Sequence, residues 1–159
     1  MSKIQVAIMM GSKSDAEVMS EAKKVLEEFG VSCEMRVLSA HRTPKETVAY
    51  VEKFPGQGGK VFICGAGMAA ALAGTVAAHT TLPVIGVPLD ASLDGIDSLL
   101  STVQMPPGVP VGSVAIGKAG AKNAGFLALR ILALNDESLQ KKLENYSDEQ
   151  KKKILETKL

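Results

Sequence analysis

Two histidines occur in the chain, His41 and His79, and their surroundings differ. His41 stands in Ser39-Ala40-His41-Arg42-Thr43-Pro44, beside an arginine and between two hydroxyl residues. An imidazole titrates near neutral pH, so it both takes and returns a proton. The neighbouring guanidinium is a fork for phosphate or carboxylate. The pair implies proton transfer on a small anionic molecule. His79 comes late in an alanine-rich stretch, where a structural role or plain exposure is expected.

Two further segments carry chemistry. In Gly11-Ser12-Lys13-Ser14-Asp15, the glycine allows a tight turn and Ser12 and Ser14 bring hydroxyls to the start of a helix. Free N–H groups and the positive dipole end there favour an anion, and phosphate is the natural guest. Asp15 would repel a phosphate laid on it and suits ribose hydroxyls; alternatively, Ser14 or Asp15 is simply the helix N-cap. The Gly65-Ala66-Gly67 run reads as a loop that lets backbone approach a flat ligand.

Other chemistries lack their parts. Two distant histidines and the cysteines Cys33 and Cys64, set in apolar runs without CxxC spacing, supply no metal site. Gly65-Ala66-Gly67 does not complete a GxGxxG fingerprint, because Ala70 stands at the third glycine. No GxxxxGK[ST] phosphate loop and no GxSxG nucleophile elbow occur. A flavin protein is conceivable from the fold alone, but the six aromatic residues (four Phe, two Tyr) leave few to flank its ring. No metal and no cofactor is expected.

Strands must alternate with helices to hold these segments. Ile4 to Met9, Ser32 to Leu38, Lys60 to Cys64, Leu82 to Pro88 and Val111 to Ile116 read as strands. Val18, Ala22, Val25, Leu26 and Phe29 share one helical face, and Gly30 suits a left-handed cap. Thr43-Pro44-Lys45-Glu46 reads as a capping box with Pro at the first helical position. Helices are expected over Met68 to His79, Asp94 to Val103 and Asn123 to Leu134. A charged helical tail, about 136–159, keeps Leu139, Leu143, Ile154 and Leu155. The fold class is α/β: a flavodoxin-like three-layer fold, with a five-stranded parallel sheet and helices on both faces. One domain spans 1–159. Ligands in such sheets bind beyond the carboxyl ends of the strands, where strand order reverses. With order 2-1-3-4-5, that places the three segments around one crevice.

Composition narrows the partners. Eighteen Lys and Arg against 17 Asp and Glu give a net charge of +1, with no basic excess for nucleic acid or an anionic membrane. No apolar stretch reaches the roughly 20 residues of a membrane span. The start, Met1 to Gln5, lacks a signal peptide's pattern. Two buried, reduced thiols and a cytoplasmic location are the expectation.

The segments together resemble the 5-(carboxyamino)imidazole ribonucleotide mutases, the PurE family of de novo purine biosynthesis. The likeness rests on Gly-Ser-Lys-Ser-Asp at 11–15, Ser-Ala-His-Arg-Thr-Pro at 39–44 and Gly-Ala-Gly at 65–67. Leu-Pro-Val-Ile-Gly-Val-Pro at 82–88, Asp-Ser-Leu-Leu-Ser-Thr-Val-Gln-Met-Pro at 97–106 and Val-Ala-Ile-Gly-Lys-Ala-Gly at 114–120 extend it to about residue 145. The resemblance implies a flavodoxin-like subunit in a homo-octamer, with active sites at subunit boundaries and no metal, biotin or nucleotide cofactor. It implies a ribonucleotide substrate whose carboxylate moves from the exocyclic nitrogen to ring carbon C4, through CO₂ held in a closed pocket. His41 matches the proton-shuttling histidine. Ser12, Asp15 and Arg42 match substrate contacts, Arg42 and the serines on phosphate and Asp15 on ribose. Ser14, Ser39 and the third loop, including Gly67, Met68, Ala69 and Ala70, would close the pocket over the base.

Many members read Gly-Ala-Gly-Gly-Ala-Ala-His-Leu-Pro-Gly in the third loop; here Ala71 and Ala73 stand at that histidine and proline. His41 is then the only histidine near the chemistry, and the wall around CO₂ is more apolar. Members that use free CO₂ with aminoimidazole ribonucleotide tend to show Ser-Ala-His-Lys-Thr, whereas position 42 here is Arg and Pro44 follows Thr43. The mutase is favoured, with the carboxylase as the alternative. A non-catalytic nucleotide-binding module is a third reading, although a sensor has no need of His41.

Overall fold

The computed structural model describes residues 3–158; Met1, Ser2 and Leu159, the ends of the expected 1–159 domain, lie outside them. Five parallel strands form one sheet in the order β2-β1-β3-β4-β5. They are β1 (Val6–Met10), β2 (Cys33–Val37), β3 (Val61–Gly67), β4 (Val84–Leu89) and β5 (Gly112–Ser113). Between and after them run α1 (Ala16–Glu28), α2 (Pro44–Lys53), α3 (Leu72–Ala78), α4 (Ile96–Val103), α5 (Gly117–Ala133) and α6 (Glu137–Glu156). Strand order reverses between β1 and β3, as expected for this fold class.

Alternation along β1 sorts the two faces. Val6, Ile8 and Met10 pack with Met19, Ala22, Val25 and Leu26 of α1 and with Ala121, Ala124 and Leu129 of α5. Ala7 and Met9 join Val51 and Phe54 from the α2 side, together with Leu72, Ala73 and Val76 of α3. Every residue of β1 is buried, as a central parallel strand covered on both faces requires. Each large side chain so buried contributes about 1.5–3 kcal/mol. Gly30 ends α1 at φ +79°, and the Val31 N–H bonds back to Leu26 O.

Several expectations need correction. Gly65-Ala66-Gly67 is not a loop but the end of β3. At Gly65 the Met19 side chain packs where a Cβ would be. The helix expected from Met68 starts only at Leu72, since Met68 takes φ +55° and breaks helical geometry. The expected fifth strand shrinks to Gly112–Ser113 at the sheet edge, with the Val114 N–H still bonding Gly86 O. Conversely α5 begins at Gly117, not Asn123. Gly120 thus lies inside the helix, and the Ala115 backbone passes it too closely for any Cβ.

The helix expected from Asp94 begins at Ile96, after a 3-10 turn over Leu93–Gly95. Cys64 is buried, but Cys33 is only half-buried; burial pushes both thiols up. In the tail, Leu139 is buried, whereas Ile154 and Leu155 are exposed.

Candidate active site

The loops beyond β1, β2 and β3 meet at the carboxyl edge of the sheet around a cavity of about 490 Å³. That is within the usual size for a small-molecule site. Its polar wall carries Ser12, Ser14, Asp15, Ser39, His41 and Arg42. Its other wall is apolar: Ala66, Gly67, Met68, Ala69, Ala71 and Leu72, with Ala91 from beyond β4.

After β1 the chain makes a single 3-10 turn, Lys13–Asp15, before α1. Ser12 caps it: its Oγ accepts the Ser14 N–H at 3.3 Å and the Ser14 hydroxyl at 2.9 Å. Of the two cap candidates, Asp15 takes the N-cap position of α1 but forms no side-chain cap bond, and Ser14 stands inside the 3-10 turn. The carboxylate and both hydroxyls are left at the cavity.

After β2 comes a five-residue turn, Ser39 to Thr43, closed by the Thr43 N–H on Ser39 O at 2.9 Å. The Arg42 N–H donates to Ser39 Oγ at 3.1 Å. The Arg42 guanidinium reaches across to donate to Gly11 O at 2.8 Å, joining the two polar loops. Pro44 does occupy the first turn of α2, but the capping box fails: Thr43 forms no side-chain cap bond and turns its hydroxyl to Ser39 instead.

After β3 the chain leaves the sheet at Met68, whose side chain is exposed. A left-handed conformation costs a non-glycine residue roughly 1–2 kcal/mol. Ala91 packs so closely that a Cβ on Gly67 would sit 3.0 Å from its methyl carbon. Of the residues picked from sequence, all but Ala70 line the cavity; Ala70 is buried at 2% exposure. Ala71 and Leu72 lie there instead. Ala66, within the run expected to approach a flat ligand, lines the cavity as well, whereas Gly11, Ala40 and Ala91 were not singled out as lining residues. The strand-order rule could have flagged Ala91, since β4 neighbours β3.

His79 lies elsewhere, at the end of α3 and 3.8 Å from the Glu52 carboxylate. A depression of about 620 Å³ toward α6 is lined by Gln5, Lys60, Asp136 and Lys142 among others, with no histidine. Among the described residues no three His, Cys, Asp or Glu side chains group as metal ligands. No described helix is long and apolar enough to cross a membrane.

Comparison with known proteins follows the same geometry. Residues 5–153 match the family described as AIR carboxylase. An N5-carboxyaminoimidazole ribonucleotide mutase of Saccharolobus solfataricus is 51% identical over 156 residues, covering 98% of each chain. The Bacillus subtilis protein of the same name is 53% identical over 153 residues, 96% of this chain and 94% of its own. Among solved structures, the crystal structure of Treponema denticola PurE superposes with a TM-score of 0.87 at 30% identity, covering 96% of this chain and 94% of that one. Matched in sequence and in fold along nearly its whole length, the chain belongs to the AIR carboxylase family.

Proposed function

We propose that the chain is an N5-carboxyaminoimidazole ribonucleotide mutase of purine biosynthesis, moving a carboxylate from the exocyclic nitrogen to ring C4. The observation that carries the reading is one cavity in which His41 and Arg42, on a single turn, face a wall of alanines. The family description names the carboxylase. The half-identical relatives, however, carry the mutase name, and Arg42 with Pro44 fits the mutase pattern.

Arg42, Ser12 and Ser14 hold the phosphate, and Asp15 takes ribose hydroxyls. Ser39, Gly67, Met68 and Ala69 close over the base. His41 as imidazolium gives its proton to the exocyclic nitrogen as the N–C bond of the carbamate breaks and CO₂ leaves. The ring C4 then attacks CO₂, forming the new C–C bond. Neutral His41 removes the C4 proton, restoring aromaticity and its own charge. One proton moves from carbon to nitrogen, nothing is oxidised, and no step calls on a metal or cofactor. The apolar wall offers CO₂ no hydrogen-bonding water and keeps it beside C4.

The chain 1–159 acts as one domain, in the cytoplasm, and assembles as a homo-octamer. Supporting assembly, Ile96, Leu100 and Val103 on α4 are about half exposed at helical spacing, and Ile154 and Leu155 stand out from α6. Light scattering showing a stable monomer at micromolar concentration would refute the octamer. Incubating the protein with the carbamate and following the C4-carboxylated imidazole tests the activity. Formation faster than in buffer supports it; a rate equal to buffer rejects it.

A further inference from the structure

The Thr43 hydroxyl makes two bonds to one residue. Its Oγ1 accepts the Ser39 N–H at 2.8 Å and donates to Ser39 O at 3.1 Å. With the Thr43 N–H on the same carbonyl at 2.9 Å, both polar backbone groups of Ser39 are tied to Thr43. Below them Thr47, wholly buried, places its hydroxyl 2.8 Å from Thr43 O and 3.3 Å from Ser39 O. Ala40, His41 and Arg42 form the span between the two ends of this clamp. Thr43 itself does not line the cavity.

From this geometry we infer that Thr43 is a positioning residue, setting where the His41 imidazole and the Arg42 guanidinium stand. The inference rests on the mutase reading above. Ser39 is part-buried, so losing the acceptor for its N–H leaves a donor that must find water or a rearranged turn. A shift there moves the proton carrier and the phosphate grip together. Catalysis is steeply sensitive to such shifts, a misplacement of about 1 Å costing roughly 100-fold. The hydroxyl is therefore what the turn needs from position 43, and serine supplies it as well as threonine does.

Thr43→Val keeps the shape and removes the hydroxyl; Thr43→Ser keeps the hydroxyl and removes the methyl. Turnover of the carbamate should fall about 10–100-fold in Thr43→Val, mostly in kcat, and stay within about threefold of the parent in Thr43→Ser. Amide exchange at Ser39, read by NMR, should quicken at least about tenfold in Thr43→Val alone. A merely structural threonine would lower the melting temperature and leave turnover of the folded protein intact at 25 °C. Thr43→Val turning over within about threefold of the parent, or Thr43→Ser faring no better, overturns the inference. Should the parent itself not convert the carbamate, the mutase reading falls and Ser39 exchange alone decides: quickened supports the clamp, unchanged overturns it.

Discussion

The two walls of the cavity are built by opposite means. The loops after β1 and β2 are laced by side-chain bonds, Ser12 to Ser14, Arg42 to Gly11 and Thr43 to Ser39. The end of β3 and the residue after it are held by close approach: Met19 against Gly65, Ala91 against Gly67, and Met68 in a left-handed conformation. The difference tracks what each wall would hold. A phosphate and a ribose have charge and hydroxyls to grip, so oriented donors and acceptors recognise them. CO₂ has neither charge nor a proton to donate, so only shape and the exclusion of water can keep it.

Removing His41, the proposed proton carrier, from the polar wall breaks the comparison most severely. His41→Asn keeps a polar side chain that cannot titrate, and kcat should fall by at least about 10²–10⁴-fold with substrate binding retained. Near-parent turnover would end the role given to His41.

Giving the apolar wall a charge is the next test. Ala71→Asp would admit water and repel the migrating carboxylate, so turnover should fall about tenfold. Steady-state kinetics that leave both kcat and KM unmoved would mean that this wall holds nothing.

The smallest effect lies away from both walls. Asp136 caps α6, its carboxylate accepting from the Ser138 hydroxyl at 2.8 Å and the Leu139 N–H at 3.0 Å. These two bonds hold it below the usual carboxylate range, the hydroxyl first. Its stabilising contribution is therefore present above the unfolded carboxylate's titration range and is lost as pH falls through the lower folded value. Asp136→Ala should lower the melting temperature slightly at pH 7, leave turnover intact, and lose its effect in strong acid. An effect that grew in acid would contradict the sign.

These walls were not equally legible in the sequence. The polar one could be read from residue types, because histidine, arginine and paired serines between a strand and a helix are scarce and announce their chemistry. The parallel order could be read too, since buried runs alternated with helical faces. The apolar wall resisted. Glycine and alanine mean the same in a loop, a strand end or a tight helix, and only packing decides. Hence Gly65 was misassigned, α5 was started six residues late at Asn123, and Ala70 was chosen where Ala71 faces the cavity. Thr43 misled for a related reason, since its spacing to Glu46 fits a capping box. A nearer partner, the Ser39 backbone, takes the hydroxyl instead.

The central claim is that CO₂ passes from nitrogen to carbon without leaving the cavity. Supply the carbamate with its carboxyl carbon labelled, in buffer rich in unlabelled bicarbonate, and stop at low conversion. Subtract the label that the carbamate loses by its own decay in water. Retention of most of the label in the C4 carboxylate, with poor use of aminoimidazole ribonucleotide plus bicarbonate, is the predicted result. Product carrying mainly unlabelled carbon from bulk bicarbonate would contradict it and make free CO₂ the substrate.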